Sequence, residues 1–495
     1  MLLQGQKISF RYDDDWLFKD ADFSVSNHSK IGIVGKNGTG KSTLFRLILG
    51  EIKPESGCIA KSGRLLIGYL PQDLAQEYDL TLAEFLGSRE TEPHLLKKAA
   101  ALFGFSQSDL DSPISRKSGG EKTRCALCRV YLKNPDVLLL DEPTNHLDRQ
   151  HMEWLEGFLS HTGTPYLIIS HDRRFLDHCA QEIWEIDSRV IKARSGNYSV
   201  FMEEKRREIS RQFDLYESQQ KKIRCLKSDF LKKKQWAETF QKQTQCGGSD
   251  TYKVITNDAR RAMKRAINIK SRIERMLDRE EAVKPVLPKK RAICFNSRVP
   301  ENSIVLKAEN LCKYYGSHTV FRGFGLDLAN SERLGIVGKN GSGKSSLLNI
   351  LAGRDADFNG SVVWVPTAAP GYYTQELEFL DHRRTVLEEV SGRDPDREEL
   401  SRTILGCLNI RRDKVFQRTR SLSRGEAMKV MLARIICSDA NVLLLDEPTS
   451  HLEIAAIEEL EHALLQFPGA VIFTTHDRYF LERIADRSMN LEEYQ

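Results

Sequence analysis

Short apolar runs that end at polar residues recur in both halves of the chain. Runs of four to eight apolar residues bounded by polar residues are typical of buried strands. The runs are Ile31–Val34, Val137–Leu140, Tyr166–Ile169, Leu334–Val337, Val442–Leu445 and Val471–Thr475. Each half opens with short alternating strands, and helices are predicted to start at Thr43–Leu49 and Ser346–Leu351. This alternation predicts an α/β fold with a parallel-sheet core in each half.

The middle of the chain follows a helical period. Glu203 to about Gln245 lacks Gly and Pro, and its apolar residues recur every seven positions, at Ile209, Tyr216, Ile223 and Phe230. After a break at Cys246–Ser249, they recur at spacings of four and three, at Ala262, Ala266, Ile269, Ile273 and Met276. The two stripes predict an antiparallel α-helical hairpin, whose first helix would be about 65 Å long.

The outer parts of the chain are copies of one pattern. Gly35-Lys36-Asn37-Gly38-Thr39-Gly40-Lys41-Ser42 returns 303 positions later as Gly338-Lys339-Asn340-Gly341-Ser342-Gly343-Lys344-Ser345. Other landmarks repeat in the same order at offsets of 303 or 305, namely Tyr12/Tyr315, Gln72/Gln375, Ser118/Ser423, Asp141/Asp446 and His171/His476. Ordered repeats indicate a duplicated domain. We predict nucleotide-binding domains at 1–198 and 301–495, in tandem and joined by a basic linker at 199–300.

The charge is distributed unevenly. The chain of 495 residues has a net charge of +5, but residues 199–300 hold 26 Lys and Arg against 13 Asp and Glu. That segment therefore carries +13 and the remainder −8. A concentrated basic segment favours a polyanionic partner that contacts the linker rather than the repeats.

Composition argues against membrane insertion and export. The chain is 40% hydrophobic and 29% charged, as in ordinary globular proteins. No apolar run approaches the ~18 residues of a membrane helix, and no signal peptide is visible at the start. Ten scattered cysteines are expected to be free thiols in a reducing compartment. Cys125 and Cys128 have metal-site spacing without a partner pair, so a structural role is expected. We predict a cytoplasmic protein.

The repeated loop has the pattern G-x-x-x-x-G-K-S, which surrounds nucleotide phosphates. Its backbone N–H groups can close around the phosphates, Lys41 and Lys344 can neutralise their charge, and the following serine hydroxyls can bind Mg²⁺. The helix N-terminus adds a favourable dipole. The predicted ATP-binding residues here are Gly35, Asn37, Gly38, Gly40, Lys41, Ser42, Thr43, Gly338, Asn340, Gly341, Gly343, Lys344, Ser345 and Ser346.

Polar residues near strand ends supply the remaining candidates. Acids at the ends of apolar strands can hold a metal or activate water. The predicted metal ligands are Ser42, Gln72, Asp141, Ser345, Gln375 and Asp446. The predicted catalytic residues are Glu142 and Glu447, which would orient or deprotonate water, and His171 and His476, which would contact a γ-phosphate. Tyr12 and Tyr315 could stack on adenine, with an ordinary core or surface aromatic residue as the alternative.

Two further motifs resemble a known family. Ser118-Gly119-Gly120-Glu121 and Ser423-Arg424-Gly425-Glu426 resemble the signature sequence of ATP-binding-cassette ATPases. The sequence from Asp141 to Asp148, DEPTNHLD, resembles the Walker B motif and D-loop of the ABC-F branch, which has twin cassettes, a charged helical linker and no membrane domain. The resemblance covers nearly the whole chain. It implies an enzyme that hydrolyses ATP with Mg²⁺, as a monomer with paired cassettes.

The resemblance implies that each ATP lies between the glycine loop of one cassette and the signature of the other. One site would join Lys41, Ser42, Asp141, Glu142 and His171 to Ser423 and Gly425. The other would join Lys344, Ser345, Asp446, Glu447 and His476 to Ser118, Gly119 and Gly120. Departures from the family pattern at Arg424, Ser450 and Glu453 suggest unequal rates. Because both glutamates are present, both sites are predicted to be active.

In the ABC-F family the linker enters the ribosomal E site. The resemblance implies a ribosome factor that acts near P-site tRNA and the large-subunit peptidyl-transferase centre. The interval from Gln72 to Ser118 is 46 residues, against 48 in the second cassette, so no arm is inserted. That layout, with no expected extension after the second cassette, is more similar to the antibiotic-resistance members. Ribosomal protection or relief of stalled translation is therefore expected.

The linker residues leave alternatives open. Candidate phosphate contacts are Lys232, Lys233, Lys234, Lys242, Arg260, Arg261, Lys264 and Arg265, and Trp236, Phe240 and Tyr252 could stack on bases. The alternative is a solvated, salt-bridged coiled coil with core aromatic residues, which the net charge of +13 makes the less favoured interpretation. The ATPase subunit of a membrane transporter is the alternative function, although such a subunit needs no basic linker. A DNA-acting ATPase is a third.

Overall fold

Two cassettes with parallel sheets are built from the two ends of the chain. The computed structural model describes residues 1–12, 15–36, 38–72, 80–87, 92–144, 147–243, 261, 263–272, 303–316, 318–374, 380–392, 394–408, 410, 412–450, 452 and 454–495. The chain divides into two compact units, one formed by Met1–Phe201 with Arg291–Gln495, the other by Met202–Lys290. The three-domain division at 198 and 300 stays a prediction.

The first cassette contains nine strands and seven α-helices among the described residues. The strands are β1 (Leu3–Tyr12), β2 (Asp15–Val25), β3 (Lys30–Gly35), β4 (Ser56–Lys61), β5 (Ile67–Leu70), β6 (Val137–Asp141), β7 (Tyr166–Ile169), β8 (Glu182–Asp187) and β9 (Val190–Ser195). The helices are α1 (Lys41–Leu49), α2 (Leu82–Phe85), α3 (Pro93–Leu102), α4 (Gln107–Leu110), α5 (Gly119–Leu132), α6 (Arg149–His161) and α7 (Arg173–Cys179).

Two linker helices and the elements of the second cassette follow. The linker helices are α8 (Tyr198–Gln243) and α9 (263–272). The strands of the second cassette are β10 (Ile304–Tyr315), β11 (His318–Ala329), β12 (Arg333–Val337), β13 (Asn359–Trp364), β14 (Pro370–Tyr373), β15 (Val442–Asp446), β16 (Ala470–Thr474) and β17 (Arg487–Asn490). Its helices are α10 (Lys344–Leu351), α11 (Val386–Ser391), α12 (Pro395–Cys407), α13 (Arg424–Ile436), α14 (Ile454–Gln466) and α15 (Arg478–Ile484).

The predicted α/β fold with parallel sheets is confirmed. The strand order is β5-β6-β7-β3-β8-β9 in the first cassette and β14-β15-β16-β12-β17 in the second. All neighbours are parallel except β8 and β9. Every residue of β6 and β15 is buried, because helices cover both faces of a parallel sheet. The carboxyl ends of β3, β6 and β7 meet at one edge, which brings the glycine loop close to the residues after β6 and β7.

The opening strands differ from the prediction of short strands. β1, β2, β10 and β11 have 10 to 12 residues and form antiparallel sheets of order β2-β1-β4 and β11-β10-β13. Several register shifts interrupt the β1–β2 and β10–β11 ladders. Such bulges break the simple alternation of apolar and polar residues. The sequence pattern therefore underestimates the length of these strands.

Helix starts also differ from the prediction. α1 and α10 begin at Lys41 and Lys344, two residues before the predicted starts. Each follows a glycine with a φ of 96° or 94°, a left-handed conformation that favours glycine. α8 begins at Tyr198, five residues before Glu203. The side chain of Asn197 accepts a hydrogen bond from the backbone N–H of Val200 at 3.1 Å and caps this start.

The linker unit retains the predicted apolar stripe. Ile223 is buried, and Ile209, Tyr216 and Phe230 are half-buried among mostly exposed neighbours on α8. On α9, Ala266 is buried and Ile269 is half-buried. The predicted break and the stripe positions Ala262, Ile273 and Met276 lie outside the described residues. In the described part of the chain, no helix has the length and apolar character needed to cross a membrane.

Candidate functional site

Two corresponding glycines in each glycine loop share a left-handed backbone conformation. Gly38 and Gly341 have φ values of 78° and 79°, and the glycines at the two helix starts are left-handed as well. At Gly343, a Cβ atom would lie 2.3 Å from Val320 Cγ1, so a side chain cannot be accommodated without a shift. This arrangement keeps the loop narrow and directs the N-terminus of α1 or α10 towards the loop.

The loop lysines bind the carbonyl oxygens of their own loops. Lys41 Nζ donates to the carbonyl oxygens of Gly35 at 2.9 Å and Lys36 at 3.2 Å. Lys344 Nζ makes the equivalent bonds to Gly338 at 2.8 Å and Lys339 at 3.0 Å. Both lysine side chains are buried, and burial lowers the pKa of Lys344. These contacts hold each ammonium group inside the concave side of its loop.

Each predicted catalytic glutamate lies against the predicted catalytic histidine of its cassette. His171 Nε2 is 3.2 Å from Glu142 Oε1, and His476 Nε2 is 3.1 Å from Glu447 Oε1. Burial raises the pKa of Glu142 to about 8 and that of Glu447 to about 7. Burial lowers the pKa of His171 to about 3 and that of His476 to about 4. Near neutral pH each imidazole is uncharged, and each carboxyl titrates close to the working range of a general base.

The same glutamates have an uncommon backbone conformation. Glu142 and Glu447 both have a φ of 49°, in the left-handed region that few non-glycine residues adopt. The peptide after each aspartate is held by the neighbouring strand: Glu142 N–H donates to Ile169 O, and Glu447 N–H donates to Thr474 Oγ1, both at 2.9 Å. Such strain persists where surrounding structure enforces it and is common at functional sites.

Hydroxyl groups link the two strand ends in each cassette. Thr144 Oγ1 lies 3.0 Å from Ser170 Oγ, and Thr449 Oγ1 lies 3.1 Å from Thr475 Oγ1. Ser170 and Thr475 directly precede the two histidines. These bonds therefore fix the segment after β6 or β15 against the histidine segment. The sequence prediction did not include these hydroxyls, although their repetition at an offset of 305 could have revealed them.

One carboxylate has an unused acceptor that fits a metal ion. Asp141 forms a side-chain hydrogen bond with Ser42, and burial raises its pKa. Its Oδ1 atom is buried and has no hydrogen-bond partner among the described residues. No cluster of three or more His, Cys, Asp and Glu able to hold a metal occurs in the part of the chain that the structure describes. This donor set, one carboxylate beside one hydroxyl, fits Mg²⁺, which typically uses one or two carboxylates with substrate phosphates and water.

A single cleft of about 1200 Å³ joins residues of both cassettes. Both glycine loops contribute, together with both aspartates, both glutamates and both histidines of the predicted sites. Gln72, Ser423 and Gly425 also line it, so the second signature lies in the same cleft as the first glycine loop. Among the described lining residues, the first signature (Ser118, Gly119 and Gly120) is not present.

The two predicted base-stacking tyrosines have different surroundings. Tyr315 lines the cleft beside His318 and Val320, and its hydroxyl is 3.2 Å from Ser346 Oγ. Lys313 Nζ lies 4.9 Å from the centre of the Tyr315 ring. Tyr12 is about half exposed, makes an edge contact with Phe10 at 5.0 Å, and is not among the described lining residues of the cleft. The structure therefore brings Tyr315, but not Tyr12, to the cleft.

Buried ion pairs join the cassettes beside the cleft. Arg173 pairs with Glu461 of the second cassette, and its guanidinium carbon lies 4.1 Å from the centre of the Tyr479 ring. Arg478 lies 3.5 Å from Glu156 in the reverse direction. Burial is the main cause, and the negative charge of the nearby Asp477 the second, that raises the pKa of Asp172 to about 6. The sequence prediction missed these residues, but the repeated Asp-Arg after each histidine was visible.

Some predicted residues lie outside the described part of the chain. They are Asn37, Gln375, Glu453, Arg260, Tyr252 and the side chains of Arg424, Trp236, Phe240 and Lys242. Cys125 and Cys128 are buried on α5, and burial raises the pKa of each thiol to about 12. A thiol with so high a pKa is a poor metal ligand or nucleophile. These two cysteines pack in the core of the first cassette.

Known proteins share this sequence and fold. The family described as "ABC transporter" matches residues 18–145 and 321–450. The ribosome protection protein VmlR of Bacillus subtilis is 31% identical, over 97% of this chain and 85% of its own length. ABC transporter F family member 5 of Arabidopsis thaliana is 29% identical, over 99% of this chain and 74% of its own. The archaeal ribosome recycling factor aABCE1, solved with the stalk protein aP1, has a similar fold, with a TM-score of 0.68 and 20% identity over 98% of this chain and 87% of that one.

Proposed function

This chain belongs to the F branch of the ATP-binding-cassette ATPases, and from that premise we propose that it is a ribosome-binding factor driven by ATP. ATP binding closes the two cassettes, and hydrolysis releases them. The relative VmlR is named a ribosome protection protein and is similar over nearly the whole chain, which supports this reading. The ATPase chemistry itself follows from the family.

The observation that carries the proposal is the charge on the linker helices. From Lys221 to Lys234, α8 carries seven exposed Lys and Arg and one exposed Asp. From Met202 to Glu217 the same helix carries four cations and five acids. The described part of α9 adds the exposed cations Lys264, Arg265, Lys270 and Arg272 and no acid. A positive end on an otherwise balanced helix is suited to RNA phosphates.

At each site we propose the following division of roles. Lys41 and Lys344 bind the phosphates, Ser42 and Ser345 with Asp141 and Asp446 hold Mg²⁺, and Gln72 and Gln375 orient water beside it. Mg²⁺, when bound, neutralises the charge that develops on the phosphate oxygens. Glu142 and Glu447 accept a proton from the attacking water, and His171 and His476 contact the γ-phosphate. The signature residues Ser423 and Gly425, or Ser118, Gly119 and Gly120, approach from the opposite cassette.

The finer proposal concerns where the linker acts. As the family resemblance implies, linker 199–300 enters the E site and acts near P-site tRNA and the large-subunit peptidyl-transferase centre. Protection of the ribosome against an antibiotic, or relief of a stall, is the proposed outcome, in the cytoplasm. The tip residues Trp236, Phe240 and Tyr252 are the proposed base contacts.

Co-sedimentation with ribosomes tests the proposal. The Glu142→Gln, Glu447→Gln variant keeps both phosphate-binding loops but lacks the proposed bases, so it should bind ATP and stay closed. We expect this variant to pellet with ribosomes in ATP and to remain in the supernatant without it. If a variant shown to bind ATP never pellets with ribosomes and instead fractionates with membranes, the ribosome proposal is wrong and the transporter alternative takes its place.

A charge-removal series tests the role of the linker. Lys232→Gln, Lys233→Gln, Lys234→Gln in the same background should weaken ribosome binding by about tenfold or more at moderate salt and reduce its salt dependence, because fewer counterions are released. The matched control removes three exposed lysines of the first cassette, Lys97, Lys98 and Lys133. Equal weakening by the two triple variants would point to total charge rather than to the linker.

A further inference from the structure

The D-loop of the first cassette reaches the glycine loop of the second through one carboxylate. Asp148 is buried and caps the N-terminus of α6. It also accepts a hydrogen bond from the backbone N–H of Asn340, four residues before Lys344. Burial lowers the pKa of Lys344 and His476, and the charge of Asp148 opposes that effect at both groups. One acidic side chain is thus hydrogen-bonded to the glycine loop of the other cassette and acts electrostatically on the histidine of that cassette.

His151 holds this carboxylate in place. Its backbone N–H donates to Asp148 Oδ1 at 3.0 Å, and its ring Nδ1 lies 2.5 Å from the same atom. Burial opposes ionisation of Asp148, but the hydrogen bonds and charge of His151 together with the bond from Asn340 lower the pKa of Asp148 overall. Because an ionised carboxylate only accepts hydrogen bonds, ring Nδ1 carries the hydrogen.

The same ring packs on the first signature. A Cβ atom at Gly120 would lie 2.8 Å from His151 Cγ and 2.9 Å from Nδ1, so the ring lies directly on the glycine backbone. Gly120 is in the first turn of α5, two residues after the N-cap Ser118. His151 therefore bridges the signature and the D-loop of one cassette at the point where the D-loop meets the other cassette.

The second cassette has no equivalent bridge in its sequence. The offset of 305 that aligns Asp141 with Asp446 aligns His151 with Ala456, and Asp148 with Glu453. Ala456 is buried in the hydrophobic core of the second cassette, and a methyl group cannot donate a hydrogen bond.

We propose that His151 is a positioning residue for ATP hydrolysis at only one of the two sites, the one built on Lys344, Glu447 and His476. By holding Asp148 on Asn340 while packing on Gly120, it makes the first signature and the first D-loop act on the second glycine loop as one unit. This inference rests on the ATPase activity of the family and is independent of ribosome binding. A failed ribosome experiment therefore leaves it intact.

Two substitutions separate the hydrogen bond from the packing. Asparagine can place an amide N–H where the imidazole carries Nδ1, whereas glutamine reaches the Nε2 position. The Glu142→Gln background leaves Glu447 as the only catalytic glutamate, and Glu447→Gln leaves Glu142. In the Glu142→Gln background, His151→Gln should lower kcat about tenfold, the usual effect of losing a charged hydrogen bond, with KM changed less than about twofold. His151→Asn should restore kcat to within about twofold of the parent.

In the Glu447→Gln background, His151→Gln and its parent should have the same kcat within about twofold. An equal loss in both backgrounds would overturn the proposal, as would a His151→Asn variant as slow as His151→Gln. Thermal unfolding of the two His151 variants controls for folding, and similar unfolding midpoints are expected.

A second experiment, which does not depend on hydrolysis, measures the release of a labelled ATP analogue from the Glu142→Gln, Glu447→Gln variant. In that double variant, His151→Gln should speed the release of about half of the bound nucleotide, which is the share held at one of the two sites. An equal change in release rate at both sites, or no change, contradicts the proposal.

Discussion

Glu142 and Glu447 are the residues at which burial, backbone strain and a histidine partner coincide. Each carboxyl is withdrawn from water, and that burial raises its pKa towards neutrality. Each backbone has a φ of 49°. A carboxyl with a pKa near the working pH is an efficient proton acceptor. The residue-scale geometry therefore matches the role proposed for these glutamates in both cassettes.

The first prediction is a pH dependence of ATP hydrolysis. Because a base must be deprotonated to act, kcat/KM for the wild-type chain should rise from about pH 6 to about pH 9 and level off above. At each site the rate should fall as the pH drops through the pKa of its glutamate, about 7 for Glu447 and about 8 for Glu142. The Glu142→Gln and Glu447→Gln single variants isolate the two profiles. Flat profiles between pH 6 and 8 would show that neither glutamate is the titrating base.

At the scale of elements, strand ends and helix starts position the chemistry. The parallel order around β3, β6 and β7 brings their carboxyl ends to one edge, and α1 begins immediately after the glycine loop.

The packing of the linker helix α8 depends on a different feature, its single apolar stripe. Ile223, which belongs to the stripe, is buried, whereas Leu215, which lies outside the stripe, is 61% exposed. The stability of the linker unit should therefore depend on one face of α8.

The second prediction concerns that face. Ile223→Ala removes buried methyl groups and should destabilise the linker unit by about 2–4 kcal/mol. Hydrogen exchange of the α8 amides near residue 223 should then become faster. Leu215→Ala is the matched control, because an exposed substitution usually changes stability by less than about 0.5 kcal/mol. Equal exchange rates in the two variants would mean that the stripe does not support α8.

At the scale of the whole molecule, ion pairs of unequal burial join the two cassettes. Arg173 is 4% exposed at its side chain and pairs with the fully buried Glu461. The next residue, Arg174, is 36% exposed and pairs with Glu482, which is 66% exposed. Arg483 also lies 2.8 Å from Glu461, so this carboxylate has partners from both cassettes. Removing one partner of a buried pair is costly, whereas an exposed pair contributes little.

The third prediction compares these adjacent arginines. Arg173→Met should weaken the association of the cassettes by roughly 3 kcal/mol, because it leaves a buried carboxylate with one cation fewer. Arg174→Met should cost less than about 1 kcal/mol. Scanning calorimetry of the nucleotide-free chain measures the unfolding temperatures of the cassettes. Only Arg173→Met should lower the temperature of the first unfolding transition, or split the unfolding of the two cassettes into two separate transitions. Similar thermograms for the two variants would contradict a role for burial at this contact.

Much of the fold was predictable because its signals are local. Apolar runs that end at Asp141, Asp446, His171 and His476 predicted the strands β6, β15, β7 and β16, and the duplicated loop placed α1 and α10 within two residues. The opening strands were underestimated because bulges interrupt their alternation. The family assignment and the ATPase activity were also confirmed. Both could be predicted from the sequence because the motifs that indicate them are contiguous.

The sequence by itself determined the α/β class, the duplication and the family, because these depend on local periodicity and short motifs. The tertiary structure decided which residues of different cassettes meet. It joined Arg173 to Glu461 and set His151 between Asp148 and Gly120. It also set the shifted pKa of each glutamate, since burial is a property of the folded surroundings. Contacts between residues hundreds of positions apart leave no mark on local sequence pattern.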